Sequence, residues 1–151
     1  MKKKPKTIGL NEGIRTHNGT TYIRILHTFE EWGRIGECFM GPGEEGDGVW
    51  SFEEEYDGTV EKWYGPTRKF YYILEGEFTV YYGEDADKVK NSQSNKIIGK
   101  KGDTLIFESG WKYHLVCTGT KPGIFLYGIT KPKENIKPKN IPESKGFWKK
   151  G

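Results

Sequence analysis

The sequence predicts an all-β chain, with many short antiparallel strands closing into a single barrel or two-sheet jelly roll. Three observations lead there. The 21 glycines and 7 prolines are spread along the 151 residues rather than gathered in one linker, which suits tight turns at regular intervals. No window shows a long 3.6-residue apolar period between helix caps, whereas short runs rich in aromatic and β-branched residues recur throughout. Aromatic residues make up 15% of the chain, enough large side chains to fill one core at this length.

Taken in order, residues 1–12 form a flexible basic start, and MKKKPK alone carries four lysines. IRTHNGTTYIRIL predicts a hairpin, because Asn18-Gly19 suits the two positive-φ positions of a type I′ turn. RIGECFM reads as a strand, followed by GPGEEGDG, a loop too acidic and wrongly spaced to cradle phosphate. VWSFEEEYDGTVEKWY predicts a second hairpin around Asp57-Gly58, and KFYYILEGEFTVYYG a third around Glu75-Gly76. Residues 84–96 are polar and aperiodic, an exposed connection. KKGDTLIFESGWKYHLVCTGTKPGIFLYGIT then supplies three strands, punctuated by Ser109-Gly110, Thr118-Gly119 and Pro122-Gly123. The barrel is expected to span 13–130 as one domain, leaving 131–151 as a flexible basic Pro/Lys-rich tail. Phe147 and Trp148 could anchor that tail on the body or on a second subunit.

Charge and cysteine usage exclude several function classes. The net charge is +3, but residues 1–6 contribute four positive charges and 131–151 seven lysines against two glutamates, so the body between them is acidic. A nucleic-acid face needs basic residues clustered on folded surface, so no nucleic-acid partner is expected. Cys38 and Cys117 lie in apolar runs without CxxC spacing and read as free buried thiols in a reducing compartment. No apolar leader follows the basic start and no run approaches a membrane span. The expectation is a cytoplasmic protein with no membrane partner.

Two motifs point further. FYYILEG, closing on Gly76, and GDTLIFESGWKYHLVCTG, running from Gly102 through Gly110 to Thr118-Gly119, stand in order with a connecting loop between them. With them, the segment from about 58 to 130 resembles the cupin family. The resemblance implies a small β-barrel whose first motif offers two His and a Glu, and whose second offers a His, to hold a divalent metal in the barrel mouth. Aligned on Gly76, the first-motif positions fall on Lys62, Tyr64 and Lys69; aligned on Gly110, the second-motif His position falls on Tyr113, with His114 one residue late. Glu108 stands at the usual Pro position and Cys117 where Asn is common.

A protonated lysine has no lone pair for a metal and repels it, so the leading expectation is a pocket with no cofactor. By the same alignment Lys62, Tyr64, Lys69, Tyr71 and Tyr113 point inward, with Trp63, Trp111 and His114 as further ligand-binding candidates. Ammonium groups beside phenols suit an anion. Lys69 with Tyr64 or Tyr113 is the candidate catalytic set, a base and an acid facing one ligand. The bland reading of the same residues puts the lysines at the rim and the tyrosines in packing. The expected function is a cupin-fold small-molecule-binding protein, either a metal-independent isomerase, epimerase or lyase acting on an anionic or hydroxylated sugar or carboxylate, or a sensor. One alternative is a metal-dependent dioxygenase or lyase in which His114, Glu61 and Glu53 hold iron, zinc, manganese or nickel. Another is a noncatalytic interaction module, and a homodimer is the expected assembly. His17 beside a turn, His27 at a strand end and Ser109 in a turn are read as structural.

Overall fold

The computed structural model describes residues 2–29 and 32–130; the tail at 131–151, with Phe147 and Trp148, lies outside the described residues. Among the described residues eleven strands form two facing sheets. The larger has the order β1 (Ile14–Asn18), β2 (Thr21–Phe29), β3 (Gly33–Met40), β11 (Gly123–Thr130), β6 (Lys69–Glu75), β9 (Thr104–Phe107). The smaller runs β5 (Lys62–Trp63), β4 (Trp50–Ser51), β10 (Lys112–Cys117), β7 (Glu77–Gly83), β8 (Asn95–Lys100). From β6 to β11 the chain moves repeatedly between the sheets, which gives the jelly-roll architecture the sequence predicts. No helix among the described residues is long and apolar enough to cross a membrane.

Strand alternation sets the interior. Along β3, Arg34, Gly36, Cys38 and Met40 face inward, beside Phe125, Tyr127 and Ile129 on β11 and Tyr71 and Ile73 on β6 of the same sheet, and facing Tyr113, Leu115 and Cys117 on β10 of the other. Phe52, Phe78, Phe107 and Phe125 are fully enclosed, each contributing roughly 1.5–3 kcal/mol of apolar burial. Cys38 and Cys117 are both free and buried. A second apolar cluster, Val49, Val60, Trp63 and Val89, packs apart from this core.

Several turns differ from the sequence reading. At the first hairpin Asn18 pairs Thr21, and the loop is Gly19-Thr20 with positive φ at Gly19 alone. That pattern fits a type II′ turn rather than I′. The chain around Asp57-Gly58 is not a hairpin, because β4 and β5 pair in parallel. Residues 52–61 make a full excursion before returning, held by Asp57 accepting from the Thr59 amide at 2.9 Å and by the Tyr56 hydroxyl donating to the Val60 carbonyl at 2.8 Å. Glu75-Gly76 is not a hairpin turn either: β6 pairs β11 and β9, whereas β7 pairs β10 and β8. Gly76, at φ +80°, carries the chain from one sheet to the other, and a Cβ there would sit 2.8 Å from the Gly123 Cα. The exposed connection contains a one-turn helix, α1 (Ala86–Lys90), capped by Asp85 and pinned by buried Val89. The basic start is tied down at its end, where Arg24 donates to the carbonyls of Gly9, Leu10 and Glu12.

Candidate functional site

Antiparallel register brings the inward polar residues to one end of the core. In the larger sheet, Ile129 lies between Arg34 and Lys69, and Lys69 is opposite Phe107; in the next row Tyr127 lies between Gly36 and Tyr71. From the smaller sheet, Trp50 and Lys62 pair in register, with Phe52 and Tyr64 two residues further along each strand. Lys69, Tyr64 and Tyr71, candidates from the sequence, therefore converge on one interior region, with Lys62 at its edge.

The Lys69 ammonium is boxed by rings. Its Nζ lies 5.0 Å from the Trp50 ring centroid, 5.0 Å from Tyr64, 4.9 Å from Tyr71 and 6.0 Å from Phe52. Among the described residues no carboxylate pairs with it. Lys62, by contrast, meets Asp47 at 2.5 Å. Desolvation, with some repulsion from Lys62 opposed by Cys38, pulls the Lys69 pKa down to about 7. Burial acts the other way on acids: Tyr64, Tyr71 and Tyr127 are pushed well above the ordinary phenol value, and the Cys38 thiol up to about 12. The same region thus holds an amine close to neutrality beside phenols that stay protonated. Lys69 and Tyr64 are part-buried as residues, whereas Trp50 and Tyr71 are buried. The Trp50 indole N–H is buried without a partner, a second donor directed to no protein group.

Sequence reasoning missed Arg34, Tyr127 and Phe52 here. Arg34 is buried, its Nε donating to the Thr28 hydroxyl at 3.2 Å, and desolvation lowers its pKa. The period-2 alternation of RIGECFM would have put Arg34 on the same face as Cys38, but only register shows that this face meets Lys69.

Other candidates lie elsewhere. Tyr113 is inward, but its hydroxyl donates to the Glu108 carbonyl at 2.5 Å and its ring stacks on Trp50. Trp63, at odd parity to Lys62 and Tyr64, turns away from the core into the second cluster and donates to the Glu53 carbonyl at 3.0 Å. Trp111 is part-exposed beside a shallow surface groove, edge-on to Tyr82, and not part of the barrel mouth. His114 is buried on the face of β10 opposite to Tyr113 and Leu115, with Nδ1 3.0 Å from the Gly48 carbonyl and Nε2 3.4 Å from a Glu45 carboxylate oxygen.

A cupin metal does not fit these side chains. The first-motif positions carry Lys62, Tyr64 and Lys69, and the second carries Tyr113, a set with one amine near neutrality and no imidazole or carboxylate. The alternative set is not assembled: Glu53 is committed to Lys112 at 2.8 Å, Glu61 to Lys90, and His114 to the 45–48 loop. Among the described residues, no three His, Cys, Asp or Glu side chains are placed to share an ion.

No protein-family model matches the sequence, and no curated protein matches it. Solved structures do match the fold. A predicted oxalate decarboxylase from Thermotoga maritima is 17% identical, with a TM-score of 0.61 over 83% of this chain and 99% of that one. KdgF from a Halomonas species is 11% identical, with a TM-score of 0.60 over 87% and 97% of the two chains. The cupin domain of Drosophila melanogaster CENP-C is 12% identical, with a TM-score of 0.58 over 84% and 82%. The chain has the cupin fold.

Proposed function

We propose that this cupin-fold protein binds a small anionic metabolite in the barrel mouth and acts on it without a metal, Lys69 serving as base and Tyr64 as acid. The observation that carries this reading is the Lys69 amine, held among four rings with no carboxylate partner among the described residues. A lysine retained in such a place costs stability, and a bound anion offsets that cost by supplying the missing counter-charge. The Trp50 N–H, without a partner among the described residues, adds a donor.

The acid and base roles follow from opposite shifts in one environment. Burial brings Lys69 to about 7, where both its forms are populated at neutral pH, and keeps the Tyr64 phenol protonated. Groups driven apart in this way are suited to removing a proton at one carbon and returning one at a neighbouring atom. Isomerisation, epimerisation and elimination share that requirement. One structural neighbour is described as a predicted oxalate decarboxylase; at 17% identity it supports the fold alone.

The test is a thermal-stabilisation screen of small carboxylates and phosphorylated sugars on the full chain and on Lys69→Met. Anions that stabilise only the parent protein support the reading. Equal stabilisation of both proteins, or none by any anion, removes it.

A further inference from the structure

Resting on the reading of the barrel mouth as an anion site, we infer that Lys69 forms a covalent imine with a small 2-oxo acid. The enclosure selects for this use of the amine. Ring faces at 4.9–5.0 Å from Nζ, with no carboxylate alongside, disfavour a compact ammonium that has lost its water. An iminium on the same nitrogen is larger, delocalised and weakly hydrated, so it loses less on leaving water and keeps the attraction of the rings. Neighbouring Lys62 adds like charge, and Lys62 itself is neutralised by Asp47. Apolar enclosure, the condition that activates a nucleophilic lysine by desolvation, is met at this atom, and Lys62 adds only a lesser repulsion because Asp47 pairs with it.

The remaining groups serve the condensation. The Nζ lone pair attacks the 2-oxo carbon, the carbonyl π pair moves to oxygen, and a proton passes from nitrogen to that oxygen to give a carbinolamine. The Tyr64 phenol, whose ring lies 5.0 Å from Nζ, donates a proton to the hydroxyl, which leaves as water. The nitrogen lone pair closes the C=N bond as that water departs, leaving a protonated imine (iminium) and one released water with no change of oxidation state, and the phenolate takes its proton back from solvent. The ligand's carboxylate meets the Trp50 N–H, which has no partner among the described residues. A near-neutral amine also separates Lys69 from surface lysines, whose ordinary pKa of about 10.4 leaves under about 0.1% in the nucleophilic form at neutral pH.

The experiment treats the full chain with pyruvate and borohydride near neutral pH, maps the reduced adduct by peptide mass spectrometry, and measures thermal stabilisation by pyruvate and by lactate. Lactate has the same charge and no carbonyl. The expected result is labelling of Lys69 about tenfold or more faster than any other lysine, with no adduct from lactate and none at this position in Lys69→Met. The map of the parent protein decides the point even if a variant fails to fold. Stabilisation by both acids with even labelling across lysines, or labelling centred on Lys62, overturns the imine and leaves the anion site standing. Even labelling with no stabilisation by either acid overturns the imine and the reading beneath it together.

Discussion

Replacing Lys69 by methionine should change how stability depends on pH, by an amount the structure sets. Desolvation among the rings lowers the Lys69 pKa from 10.5 to about 7. Between those values the unfolded chain holds a proton that the folded one has released, so stability rises with pH across that window. Below about 7 both states are charged and the folded protein bears the full penalty. The gap of about 3.5 units corresponds to roughly 4–5 kcal/mol at about 1.36 kcal/mol per unit. Between pH 6 and pH 9 the parent should gain roughly 2–3 kcal/mol relative to Lys69→Met, which has no proton to release. Urea unfolding of both proteins at these two pH values measures it, and subtracting one from the other cancels the remaining titrating groups. Methionine should be the more stable variant at pH 6, with the gap closing towards pH 9. Parallel profiles would refute the argument, since they would mean that Lys69 keeps its water and that the ring box does not enclose its charge.

Further outcomes test the surroundings. His114→Ala should cost roughly 2–4 kcal/mol in urea unfolding, through a buried void and a lost contact to Gly48, while leaving anion stabilisation intact; loss of that stabilisation would bring His114 into the site. Gly36→Ala places a Cβ 2.5 Å from the Tyr127 ring, so it should cost roughly 1–3 kcal/mol and weaken anion stabilisation as Tyr127 shifts. Glu53→Ala leaves Lys112 buried with only Asp57 at 3.5 Å and should cost roughly 2–3 kcal/mol, below the ~3–5 of a fully enclosed broken pair. Elemental mass spectrometry of untagged protein purified without chelator should find no stoichiometric iron, zinc, manganese or nickel; a metal that leaves in His114→Ala would contradict the donor argument.

The fold was legible because its signals are local. FYYILEG and GDTLIFESGWKYHLVCTG carry period-2 alternation and turn glycines whose inward residues Tyr71, Ile73, Leu105, Phe107, Tyr113 and Leu115 are all buried. Connectivity was less legible, because a Gly at a strand end reads the same whether the chain folds back beside itself or crosses to the facing sheet. Gly76 crosses, and its need for positive φ is common to both cases. Lys62, Tyr64 and Lys69 were found by motif position, whereas Arg34 and Tyr127 were not, since they approach Lys69 only through the register of β3, β11 and β6. Trp63 and Trp111 were placed in the wall for being aromatic near the right strands. Parity turns Trp63 outward, and the turn at Ser109-Gly110 leaves Trp111 at the surface.

The barrel divides its interior between two tasks. At one end Ile73, Phe78, Val80, Leu115, Cys117 and Phe125 are packed with little or no exposure and no charged side chain among them. At the other, a row runs from the buried Arg34 through Ile129 to the Lys69 amine across three strands. Such a row lowers stability, and close packing at the apolar end compensates for it without sharing residues with the site. Aromatic rings suit the boundary because one surface serves both: Tyr71 stacks on Phe125 at 4.0 Å towards the core and faces the Lys69 amine at 4.9 Å towards the mouth. The rings offset only part of what the amine's charge loses on leaving water, which is why its pKa falls to about 7. The substitution of metal ligands by Lys62, Tyr64 and Lys69 therefore does more than delete an ion. On the proposed reading it exchanges a site that would polarise ligand oxygens through a metal for one whose reactive group is an amine adjusted by burial.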